Sequence, residues 1–172
     1  MKNTKKIMAS VLALATVMAI SPVSVFAEDT VIKEDTTPKT GQTTVSYDVS
    51  AKYTVTIPAG VTLYDDKTSD ATITADAGVM LESGQTIVVK LTGATNTESG
   101  STFNAKYGAS TANYTISAGG SAKAIGDTVA TFNTSTAAQS AKLTFSAATG
   151  ATLAGEHTET LTFTISTPTS TT

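Results

Sequence analysis

The sequence predicts an all-β fold, a β-sandwich of about eight to ten short and mostly antiparallel strands. Three observations carry this. Apolar and polar residues alternate with a period of two in segment after segment beyond residue 43. Gly-containing or polar turns separate those segments at short spacing. Thr is heavily used and fills the solvent-facing positions, where a β-branched residue fits a pleated surface. No stretch of that region repeats its apolar residues at helical spacing, and no internal sequence repeat points to a solenoid or propeller.

The first strand signal is the longest. Val45, Tyr47, Val49, Ala51, Tyr53, Val55 and Ile57 occupy odd positions, with polar residues between them. At about 3.3 Å per residue the run would reach roughly 43 Å, more than one strand usually covers. Two β segments joined by a bend or bulge near Asp48–Ala51, where the chain passes between sheets, are therefore expected. Pro58 to Gly60 ends the run. Val61–Tyr64 follows, then the polar turn Asp65–Lys67. Further segments are Ala71–Ala75, Gly78–Leu81, Thr86–Thr92, Thr102–Tyr107, Asn113–Ser117, Thr128–Asn133 and Lys142–Ala147. Gly119 and Gly120 open a loop. Thr134–Ser140 has room for one helical turn at most, since Thr and Ser dominate it. The clearest strand is the last, with Leu161, Phe163 and Ile165 inward and Thr160, Thr162, Thr164 and Ser166 outward.

The first 27 residues read as a cleaved export signal. Lys2, Lys5 and Lys6 precede an uncharged apolar run from Ile7 to Ile20, and Pro22, Val25 and Ala27 form a small-residue cleavage site. That run is shorter than the roughly 20 residues of a spanning helix. Residues 28–42 are polar apart from Val31 and Ile32 and read as a flexible leader. Residues 43–167 form the β domain, and residues 168–172 a disordered tail. Removing the signal takes away three of eleven lysines and none of fourteen acids, leaving a net charge near −6 with no Arg. Such a chain is poorly suited to nucleic acid or to an anionic membrane surface, both of which need clustered cations. The absence of Cys excludes disulfides and a lipid-modified Cys. The Lys-rich signal on a Cys-free chain gives it the look of a bacterial, Gram-positive product, secreted or held at the cell surface.

Sites for chemistry are sparse. His157 is the only His, so with no Cys a transition-metal site lacks its usual ligands. One His suffices for a Ser-His-acid triad, yet no Ser has a nucleophile-elbow setting, and an exposed loop His is expected. Asp65, Asp66, Asp70 and Asp76 cluster in a polar stretch without EF-hand spacing and read as a solvated loop. Lys52 and Lys90 fall on polar strand faces, unsuited to an internal Lys–Asn bond. Thr37–Gly41 matches a Pro-x-Thr-Gly sorting motif only in part and far from the C-terminal end. No catalytic residue, metal or cofactor is assigned. The candidate ligand-facing aromatics are Tyr64, Tyr107 and Tyr114, each near a turn.

Two stretches carry a resemblance. Tyr53 to Gly60 (Tyr-Thr-Val-Thr-Ile-Pro-Ala-Gly) opens the domain, and Ala154 to Ile165 (Ala-Gly-Glu-His-Thr-Glu-Thr-Leu-Thr-Phe-Thr-Ile) closes it. The second is similar to the Ala-Gly-x-Tyr-x-x-x-Leu-x-Phe-x-Ile closing strand of many immunoglobulin-like and fimbrial-type domains, with His157 where Tyr is usual. Over residues 43–166 the chain resembles small secreted adhesin-like or pilin-like sandwich proteins of Gram-positive bacteria. The resemblance implies an immunoglobulin-like sandwich and a non-enzymatic structural or adhesion module. It would meet an extracellular protein or glycan, or itself, with the leader around Val31 and Ile32 as a strand to add to a neighbour. A carbohydrate-binding module is the alternative.

Overall fold

The computed structural model describes Glu34, Thr43 and residues 45–168. The signal segment, the tail beyond Pro168 and the leader apart from Glu34 lie outside the described residues. The chain divides into two units, Met1–Val49 and Ser50–Thr172. In the first, the described residues Val45–Val49 form no secondary structure and are exposed.

The second unit is all-β, and no helix occurs among the described residues. Its strands are β1 (Val55–Thr56), β2 (Ser69–Ala75), β3 (Ile87–Ala94), β4 (Thr102–Tyr107), β5 (Ser110–Ala118), β6 (Ser121–Lys123), β7 (Thr128–Phe132), β8 (Gln139–Phe145) and β9 (Leu161–Ser166). They build two antiparallel sheets. The larger has the order β1-β2-β8-β5-β4, with β6 paired to β5, and the smaller β7-β3-β9. The period-two pattern explains how they face each other. Ile73, Phe103, Ile116 and Leu143 from the larger sheet meet Ile87, Leu91 and Phe132 from the smaller in one apolar cluster. Each such side chain, fully withdrawn from water, contributes about 1.5–3 kcal/mol.

Several segments depart from the sequence pattern for physical reasons. Of the long run from Val45 to Ile57, only Lys52, Val55 and Thr56 pair, with Met80, Ala75 and Thr74. Alternation specifies a strand only where a neighbouring edge receives it, and β2 receives just the end of this run. The expected passage from sheet to sheet near Asp48–Ala51 is therefore not seen. Val61–Tyr64 is not a strand, although the Tyr64 carbonyl accepts from the Ala148 amide at 2.8 Å. Val79 and Met80 make isolated bridges, to Ser135 and Lys52, instead of a ladder. The helical turn considered for residues 134–140 does not form; Gln139 and Ser140 open β8. β6 is an addition. Gly119 and Gly120, with φ of 59° and 79°, make the two-residue turn that joins it to β5. That conformation matches the twist of the flanking strands and is open mainly to glycine.

The last crossing shapes the candidate site. Thr158 bridges Lys106 at the edge of the larger sheet, with bonds of 3.0 and 3.1 Å. Three residues later the chain is in β9, paired to β3 in the smaller sheet. β9 has no partner on its other side among the described strands.

Candidate functional site

Two polar clusters hold the chain where it changes sheets. The first centres on Ser110, which opens β5 and is 1 % exposed. Its Oγ accepts from the amides of Thr152 and Leu153, at 2.8 and 3.2 Å, and lies 2.8 Å from His157 Nε2. His157 Nδ1 lies 3.1 Å from the Gly155 carbonyl, which can only accept. Nδ1 therefore carries the proton in the neutral ring, Nε2 accepts, and the Ser110 hydroxyl donates to it. This is the Ser-His half of a triad, but its chemistry is anchoring. Both Ser110 lone pairs are taken by amides, no carboxylate bonds Nδ1, and the hydroxyl is closed to solvent. His157 is accordingly a half-buried pin for the 149–158 loop rather than the exposed loop residue expected. Gly155 completes the pin. A Cβ there would lie within 2.6 Å of the Tyr107 ring, so only glycine lets the loop lie against that ring.

The second cluster centres on Glu159. Oε1 accepts from the Asn96 amide at 3.2 Å and the Thr97 hydroxyl at 2.8 Å. Oε2 accepts from the Asn104 amide at 3.0 Å and the Tyr114 hydroxyl at 2.8 Å. Asn96 Nδ2 returns a bond to the Thr158 carbonyl at 2.9 Å. One carboxylate thus ties together the turn after β3, strands β4 and β5, and the crossing into β9. Thr97, 4 % exposed, is closed off beneath it. Burial of the Tyr114 ring, and then its bond to the Glu159 carboxylate, push the phenol well above the usual tyrosine range.

That shift has a measurable consequence. The unfolded chain loses the Tyr114 proton near pH 10, while the folded chain keeps it. The unfolded state then binds fewer protons, so stability falls as pH rises. Stability is expected to lose up to about 1.4 kcal/mol per pH unit above roughly pH 10 from this group. Chemical denaturation across pH 8–11 reads it. Tyr114→Phe should flatten that limb, and an unchanged limb in the variant would refute the assignment.

An open groove of about 640 Å³ borders this region. Its walls include Ala71, Leu143 and Phe145 of the larger sheet and Leu161 and Phe163 of β9, with Ile57–Asp65 along one side. Tyr64 stands at its rim, 43 % exposed, with the Lys67 ammonium 4.0 Å from its ring centroid. Tyr107 is 46 % exposed and lies outside the groove lining, its ring centroid 5.8 Å from that of His157. Tyr114 is no surface platform. It is 5 % exposed, with ring centroids 5.6 Å from Phe103 and 6.1 Å from Phe145. The structure thus brings Tyr64 and Tyr114 to one groove, the first exposed at its rim and the second buried in its wall, and leaves Tyr107 outside it.

Glu159, Thr97, Asn104 and Ser110 were not singled out by the sequence reading. For Glu159 a signal exists. It shares the odd parity of Leu161, Phe163 and Ile165, so an acid continues the inward face of the last strand. Of the clustered acids, Asp70 lies on β2, where the Thr144 hydroxyl at 2.7 Å and then Lys142 at 3.2 Å hold its carboxyl below the usual range. Among the described residues no group of three or more His, Cys, Asp or Glu is arranged to hold a metal. Comparison with protein-family models, curated proteins and solved structures finds no match to this chain.

Proposed function

We propose that this chain is a secreted, non-enzymatic structural or adhesion module of a bacterial cell surface, built as an immunoglobulin-like sandwich and related in kind to adhesin-like and pilin-like domains. The observation that carries the reading is the state of its polar side chains. The Glu159 and Ser110–His157 clusters are bonded to the fold's own amides and hydroxyls, and no buried side-chain nitrogen or oxygen among the described residues lacks a partner. Such groups stiffen a scaffold; catalytic groups instead keep bonding capacity for a substrate. The export signal supplies the location. Intact mass and fractionation of the producing cells test it. A chain beginning at Glu28, found in the medium or on the surface, is expected. A mass that retains residues 1–27, or a chain confined to the cell interior, would overturn it.

The second reading is a carbohydrate-binding module. Tyr64 favours it, since an exposed ring at the rim of a groove that also presents Asp65 and Glu156 can stack on a sugar face. A glycan array with the intact chain and with Tyr64→Ala decides this. Absence of binding at millimolar sugar would remove the reading.

A further inference from the structure

The chain carries two incomplete halves of one interaction. One is the flank of the sheet pair at β9. This strand pairs with β3 on one side and with none of the described strands on the other. Its inward residues Leu161, Phe163 and Ile165 are only half-buried, although they form the most regular apolar face in the sequence. Val89 and Leu91 of β3, which pair with Ile165 and Phe163, are fully buried. The edge strand at the other end of the same sheet is also covered, with Val129, Ala130 and Phe132 of β7 buried. The apolar groove opens beside β9. An exposed edge is usually guarded by a charge, a proline or a covering loop. Residues 161–166 contain neither charge nor proline.

The other half is Val45–Val49. It has the alternation of a strand but belongs to none. Val45 is 90 % exposed, Tyr47 89 % and Val49 46 %. Three apolar residues at two-residue spacing face water on this segment. Three apolar residues at the same spacing are half-covered on β9. An extended segment placed against an edge satisfies backbone donors and acceptors on both sides, and its alternate side chains enter the space behind that edge.

We propose that the Val45–Val49 segment of one copy of this chain adds beside β9 of a second copy. It extends the smaller sheet by one strand and places Val45, Tyr47 and Val49 over the groove. The inference rests on the structural-module reading above and adds self-association to it, through a segment of matching pattern. Because donor segment and acceptor edge lie on the same chain, each copy can donate to one neighbour and accept from another, so the association is open-ended.

Light scattering of the secreted chain over a range of concentrations should show growth beyond the monomer. Tyr47→Asp should weaken this association by roughly a hundredfold, the loss of one buried aromatic contact. Its unfolding temperature should not change, because Tyr47 is exposed in the single chain. The chain's lack of cysteine permits a direct test of the pairing. Chains carrying Asp48→Cys, mixed with chains carrying Thr164→Cys, should form mixed disulfide dimers, since both positions share the polar face of the extended sheet. Asp48→Cys with Thr162→Cys covers the neighbouring register. Growth that persists undiminished in Tyr47→Asp overturns the proposal. So does a disulfide that forms within a doubly substituted chain but never between singly substituted ones, or a chain that stays monomeric throughout. A monomeric chain found at the cell surface overturns only the pairing. A chain that is not exported overturns the functional reading and leaves the pairing measured in solution intact.

Discussion

Glu159→Ala should be among the most damaging substitutions at any polar position, lowering stability by roughly 3–5 kcal/mol. The carboxylate accepts four hydrogen bonds, from Asn96, Thr97, Asn104 and Tyr114. A hydrogen bond to a charged group contributes about 1.5–3 kcal/mol, and a buried donor left unpaired costs about 1–3 kcal/mol. Tyr114 and Thr97 are both buried, so neither hydroxyl gains water in exchange. Glu159→Gln keeps the shape and one accepting oxygen, but its amide nitrogen points a donor at other donors. It should recover part of the loss and remain below the wild type. Equilibrium denaturation orders the three proteins. Equal stability of the alanine variant and the wild type would mean that the cluster is incidental to the fold.

Phe103→Ala is the second large effect, at about 3–5 kcal/mol. Phe103 has no exposed surface and packs against the Tyr114 ring. Truncation removes the buried ring and leaves a cavity that the surrounding strands can only partly close. Phe163→Ala gives the contrast. Phe163 is half-buried beside the groove, and much of its surface already meets water. Its loss should cost about half as much, on the order of 1.5–2.5 kcal/mol. Comparable losses at the two positions would show that the β9 flank is sealed in solution.

The β strands were legible wherever the sequence alternates and a partner edge exists. β3, β4 and β9 fall within a few residues of the pattern, and Ile87, Val89 and Leu91 point inward as their parity requires. The failures share a cause. Val45–Val49 alternates as strictly as any strand, but parity cannot tell whether a neighbouring edge is free to receive it. β6 is three residues long, too short for periodicity to register. The polar clusters were hidden for another reason. Glu159 gathers groups from positions 96, 97, 104 and 114, which only the crossing between sheets brings together. Ser110 looked like one Ser among many because its role comes from amides more than forty residues away.

The position of β9 in the chain also governs the order in which the fold can close. β9 pairs with β3, and Thr92 and Thr164, whose hydroxyls meet at 2.9 Å, are 72 residues apart in sequence. β2 likewise waits for β8, with Ser69 opposite Phe145. Only the β4–β5 and β5–β6 hairpins among the described strands close by local contacts; the other pairings are distant in sequence, and chains of such high contact order fold in milliseconds to seconds rather than microseconds. A polypeptide leaving its site of synthesis N-terminus first would stay unfinished until Ser166 emerged. On the exported-module reading that we propose, that delay would keep the chain open during its passage through a membrane.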